Sequence, residues 1–119
     1  MSSIQRIDTG ARMSEAVVYN GIAWLAGQVA EDASQGIEGQ TKQVLASIDA
    51  LLAKCGTSKA QLLSAQIFIA DMADFPRMNN VWDEWIKDAG KPARATVEAA
   101  LARPGWKVEI VVTAAVPAA

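Results

Sequence analysis

Apolar residues recur along this chain with two periods, and the switches between them mark its elements. Ile4 to Asp8 reads as a short strand. Ala16 to Tyr19 and Ile22 to Ala26 flank the pair Asn20-Gly21, which suits the positive φ angles of a two-residue turn, so this stretch predicts a β-hairpin. Gly27-Gln28 ends the second strand; a glycine there serves either close approach of a ligand or a bend. After a polar loop over Glu31 to Gly36, the spacing predicts a helix over Ile37 to Cys55. Val44, Leu45, Ile48, Leu51, Leu52 and Cys55 fall on one face of it at three- and four-residue steps. Gly56 is placed to stop that helix.

Beyond it, Ser58-Lys59-Ala60-Gln61 has the form of a capping box opening a single turn. Leu62 to Ala70 reads as a buried strand centred on Ile67, Phe68 and Ile69. Asp74 is expected to cap a second helix, with Pro76 in its first turn. That helix runs to about Ala89, with Met78, Val81, Trp82, Trp85 and Ile86 facing inward. Two strands close the chain, Ala93 to Ala100 after Pro92 and Trp106 to Ala115 after Pro104-Gly105.

Each amphipathic helix covers one face of a sheet. The last strand is apolar on both faces, with Val108, Ile110 and Val112 on one and Val111 and Thr113 beside Glu109 on the other. Two helices cover one face, and a second copy of the chain is the available cover for the other. The expected architecture is α+β: one domain over residues 1–119, one mixed sheet, two helices on one side, in an obligate oligomer.

Composition narrows the function. The chain is 51% hydrophobic and 20% charged over 119 residues, which is apolar for so small a domain. A net charge of −2 with scattered Lys and Arg gives no footprint for nucleic acid. No stretch has the apolar length of a signal peptide or a membrane span, and one Cys excludes an internal disulfide, so a cytoplasmic setting is expected. The chain has no His, which removes His-based triads and the commonest metal ligand. No phosphate-binding or dinucleotide glycine motif occurs. Neither metal nor cofactor is expected.

Against that background, Arg94 and Glu109 stand out as charges on apolar strands, with Glu98 nearer the far end of the first. Arginine holds a carboxylate through two parallel hydrogen bonds, and glutamate is a common general base. A lone Arg and Glu on neighbouring strands also make an ordinary ion pair, or two solvated side chains. Both readings stand at this level.

Pro92-Ala93-Arg94-Ala95-Thr96-Val97-Glu98, followed by Trp106-Lys107-Val108-Glu109-Ile110, resembles the C-terminal signature of the Rid (reactive intermediate deaminase) or YjgF family. Ala26-Gly27-Gln28, Gln66 to Asp71, and Asp74-Phe75 with Asn79 and Trp82 extend the likeness over nearly the whole chain. The resemblance implies a chorismate-mutase-like, YjgF-like fold and a homotrimer with a central barrel, helices outside and ligand clefts between subunits. It implies hydrolysis of 2-imino acids and enamines, such as 2-aminoacrylate, to 2-keto acids and ammonia without a cofactor. Activity of the 2-iminobutanoate or 2-iminopropanoate deaminase kind pre-empts damage by these intermediates. In that pattern Arg94 matches the residue that binds the substrate carboxylate and Glu109 the residue that orients water. Thr96, Gly27 and Asn79 would line the cleft.

Three positions depart from the deaminase branch. Thr96 stands where many members have Cys, Ala26 where they have Ser, and no aromatic lies near Met13 and Ser14. The departures point to a side branch and leave pocket shape and substrate range open. The alternative is a non-catalytic module that senses a small carboxylate, such as a 2-keto acid, in the same intersubunit cleft. A third role, binding other proteins through apolar surface, would not involve Arg94.

Overall fold

A computed structural model describes residues 3–118. Six strands form one mixed sheet: β1 Gln5–Thr9, β2 Ser14–Tyr19, β3 Ile22–Leu25, β4 Leu62–Ile69, β5 Ala93–Glu98 and β6 Val108–Ala115. Two helices, α1 Ile37–Lys54 and α2 Phe75–Ile86, pack on one side of it. The order across the sheet is β1-β2-β3-β6-β4-β5. Only β4 and β5 pair in parallel, joined by the crossover through α2.

Local chemistry explains most of these elements. Asn20 (φ 51°) and Gly21 (φ 75°) turn the β2–β3 hairpin as their types predict. Gly56 (φ 80°) ends α1, where Thr57 N–H donates to Leu52 O and Gly56 N–H to Ala53 O, both at 3.0 Å. Ser58 Oγ accepts from Ala60 N–H and opens the short turn Lys59–Gln61. The expected cap at Asp74 is corrected. Asp71 is the residue whose carboxylate accepts a backbone N–H, that of Ala73, at 2.9 Å. Asp74 already has helical angles and binds Arg77 Nη2 instead.

The core lies between the helices and one sheet face. Alternation along β6 buries Val108, Ile110, Val112 and Ala114 against the helices and turns Glu109, Val111 and Thr113 the other way. That second face has no helical layer, and the domain is only 20 Å through its thinnest dimension, the depth of a sheet plus one helical layer. On it Trp24 and Val97 are each 43% exposed, beside the half-buried Val17, Phe68 and Val111. The need for outside cover read from the sequence is therefore visible as a bare apolar face.

Gln40, on α1, is fully buried and polar. Its amide nitrogen donates to Gln35 O and Gly105 O, both at 2.9 Å, and its Oε1 accepts from Lys107 N–H at 2.9 Å. One side chain thereby ties the loop before α1 to the turn before β6.

Candidate active site

Arg94 stands near the start of β5, and α2 holds its guanidinium. Nη1 donates to Asn79 Oδ1 at 2.9 Å. Cζ lies 5.3 Å from the ring centre of Trp82 and 5.8 Å from that of Phe75. Phe75, Asn79 and Trp82 follow at steps of four and three, so they form one stripe along the helix. Each cation–π contact at so exposed a site contributes about 0.5–1 kcal/mol, enough to bias the orientation of the fork. Trp82 is a core residue, as its helical spacing predicts; it is 5% exposed, and its ring also supports Arg94. The stripe itself was the available signal for the roles of Phe75 and Trp82.

Arg94 opens on a cavity of about 370 Å³ that Asn79, Asp83, Lys91 and Pro92 also line. Lys91 is engaged there: its ammonium donates to Ile86 O, Lys87 O and Ala89 O at the C-terminal end of α2. The remaining N–H groups of Arg94 meet no protein acceptor among the described residues. Thr96 lies on the same sheet face, two residues along. Its Oγ1 is shut off from solvent and has no hydrogen-bond partner among the described residues. Such an orphaned hydroxyl costs about 1–3 kcal/mol; Thr96 is not among the residues that line the Arg94 cavity.

Glu109 belongs to a different place. Arg94 pairs with Ala65, and Ala65 with Val112, which puts Arg94 on the helix side of the sheet. Glu109 pairs with Phe68, and Phe68 with Val97, on the bare side. The two strands are not neighbours, as the sequence suggested, because β4 lies between them. Three residues along and two strands across, the two backbone positions are about 10 Å apart in each direction. The side chains leave opposite faces. An Arg94–Glu109 ion pair within one chain is thereby excluded, and neither joins any other ion pair among the described residues.

Around Glu109 the chain is tightly tied. Its half-buried carboxylate lies over Gly27, just past the end of β3. Gln28 N–H donates to Ile110 O at 3.0 Å, and Ile110 N–H to Gln28 O at 3.1 Å. Ala26 N–H donates to Glu15 O, and Gln28 Nε2 to Glu15 Oε1. The five candidates thus form two groups: Arg94, Asn79 and Thr96 on the helix side at one sheet edge, and Glu109 with Gly27 on the bare face. Glu98 joins neither, since its carboxylate caps the turn before α2 by accepting from Met72 N–H at 2.8 Å.

A larger cleft of about 460 Å³ runs between the outer sides of α1 and α2, lined in part by Leu45, Asp49, Val81 and Trp85. It contains none of the five, and two of its polar groups serve each other, as Trp85 Nε1 donates to Asp49 Oδ2. Among the described residues no group of three or more His, Cys, Asp or Glu is placed to hold a metal, and no helix is long and apolar enough to cross a membrane.

Comparison with known proteins agrees with this architecture. Residues 3–116 match the family model described as endoribonuclease L-PSP. A RutC family protein of Haemophilus influenzae is 53% identical over 113 residues, covering 94% of this chain and 97% of its own. The crystal structure of a YjgF family member from Neisseria meningitidis has a TM-score of 0.94 at 48% identity, over 98% of both chains. A protein of unknown function of the Rid family from Yersinia pestis, YyfA, has a TM-score of 0.89 at 32% identity, over 96% of this chain and 100% of its own.

Proposed function

The chain belongs to the endoribonuclease L-PSP family, which takes in the RutC, YjgF and Rid relatives, and from that premise we propose that it is a hydrolytic deaminase of 2-imino acids and their enamine tautomers. The observation that carries the proposal is the guanidinium of Arg94, propped by Asn79, Trp82 and Phe75 with no carboxylate partner among the described residues. Asn79 takes one N–H of Nη1, which leaves the Nε–Nη2 edge as a fork for a substrate carboxylate.

The reaction converts R–C(=NH)–COO⁻ and water into R–CO–COO⁻ and ammonia. Arg94 fixes the carboxylate and so places the adjacent imine carbon; its contribution is positional. Glu109 takes a proton from water as the oxygen bonds to that carbon and passes it to the nitrogen, giving a carbinolamine. It then takes the second proton from the new hydroxyl and passes it to the nitrogen as the C=O bond forms, the C–N bond breaks and ammonia leaves. The two groups come from different copies. In the homotrimer we propose, the α2–β5 edge of one subunit meets the bare face around Gly27 and Glu109 of the next, and the apolar residues there are covered in the central barrel. Despite the family model's name, RNA is a poor substrate for this chain, whose net charge is −2 and whose Lys and Arg form no stripe.

The test is an assay in which an amino-acid oxidase supplies imines and keto-acid release is followed. Wild type accelerates hydrolysis, and Arg94→Ala loses at least about 100-fold in kcat/KM, the scale of a lost charged hydrogen-bond pair, with the oligomer intact. An Arg94→Ala protein of full activity overturns the reading. Saturable keto-acid binding without turnover would make the cleft a sensor, the reading favoured by Thr96 standing where deaminases of this kind carry Cys.

A further inference from the structure

Gly27 has no positive φ, so its backbone does not call for glycine; the space beside it does. A methyl group on its Cα would sit 2.8 Å from Glu109 Cδ and 3.1 Å from Cγ, and closer still to Oε2. Real carbon atoms do not approach that closely without movement. The backbone has little room to yield. Ala26 is tied to Glu15 by a 2.8 Å bond, and Gln28 and Ile110 exchange two bonds on either side of the contact. The mobile partner is the carboxylate, the far end of a side chain with three rotatable bonds.

We infer that Gly27 is a positioning residue for Glu109: its bare Cα is the floor on which the carboxylate lies, and any side chain there swings the carboxylate away. The inference rests on the deaminase reading for its effect on turnover, but not for its geometry. Because Gly27 has no positive φ, Gly27→Ala adds no left-handed backbone strain and keeps the fold of the chain. The carboxylate moves by an ångström or more, a displacement that costs on the order of 10–100-fold in a positioned reaction. The loss falls on kcat, since Arg94 and its α2 supports belong to the other group of residues and still bind substrate. Gly27 acts through Glu109, so its substitution adds nothing once the carboxylate is gone.

The experiment is a double-mutant cycle with Gly27→Ala, Glu109→Gln and the pair, together with the carbon-13 resonance of the Glu109 carboxyl in wild type and Gly27→Ala. The expected result is a kcat lowered 10–100-fold with KM within about twofold in Gly27→Ala, no further loss in the pair, and a displaced carboxyl resonance. An equal further loss in the pair overturns the inference, because Gly27 would then act directly on substrate. So does an unmoved resonance. Absence of turnover in wild type is a failure of the deaminase reading, and the resonance then decides on Gly27 alone. Should Gly27→Ala not assemble, Glu109→Asp is the second variant. Its shorter arm withdraws the carboxylate from Gly27 and lowers kcat with KM preserved; wild-type kcat in that variant overturns the inference.

Discussion

Cys55 ends the apolar face of α1 and is 6% exposed. Burial pushes its thiol above the usual range, because a thiolate there would lose its water. The sign of the pH dependence follows. Above the ordinary thiol range the unfolded chain releases this proton while the native chain keeps it, so native stability falls as pH rises from there toward the raised native value. Cys55→Ala lacks this descent. Urea midpoints of the two proteins, compared at pH 7 and pH 10, should converge or cross as pH rises; parallel midpoints would show the thiol to be equally free in both states. The same contrast separates Cys55 from a reactive nucleophile, and alkylation of the native protein should be slow until it unfolds. Arg94 is the opposite kind of residue. Its surroundings hold it in place and leave its hydrogen-bonding capacity open.

At the scale of elements, the stitch made by Gln40 matters most for the half of the site that carries Glu109. Gln40→Leu keeps the volume but strands the Lys107 N–H and the Gly105 and Gln35 carbonyls, at a cost of about 3 kcal/mol in chemical denaturation. A change below 1 kcal/mol would mean that water replaces the amide. Nothing in the apolar rhythm of α1 announced this residue, although Gln40 stands one turn before Val44 on the buried face, a place where a polar side chain needs a partner. Elements governed by near neighbours were legible: the Asn20-Gly21 hairpin, the stop at Gly56, the two helical faces and the alternation in β6. What was not legible depends on distant pairing. The insertion of β6 between β3 and β4 is set by long-range contacts, and with it the separation of Arg94 from Glu109. Period-two alternation tells which residues share a strand face, but not which face of the sheet that is until the strand order is known. The shift from Asp74 to Asp71 as the capping side chain is a matter of a single turn inserted before α2. Arg94 and Glu109 stood out as charges on apolar strands, and Gly27 as a glycine closing one. The expected roles of these three, and the candidacy of Asn79 and Thr96, came from family resemblance, and the grouping of all five came from the fold.

At the scale of the molecule, one layer of helices on a sheet leaves Trp24, Val97 and their neighbours without cover, and the proposed trimer supplies it. Mass measured by light scattering should be three times that of the 12.6 kDa chain. The opposed directions of Arg94 and Glu109 then have a consequence that resembles genetics more than chemistry. Two dead proteins should cure each other. Arg94→Ala supplies a sound Glu109, and Glu109→Gln supplies a sound Arg94. In a three-membered ring that contains both, one junction joins the two sound groups and another collects both lesions. Random reassembly of equal amounts should restore about one quarter of wild-type activity, from two stocks that have almost none. If each chain carried its own complete site, the mixture would remain as inactive as its parts.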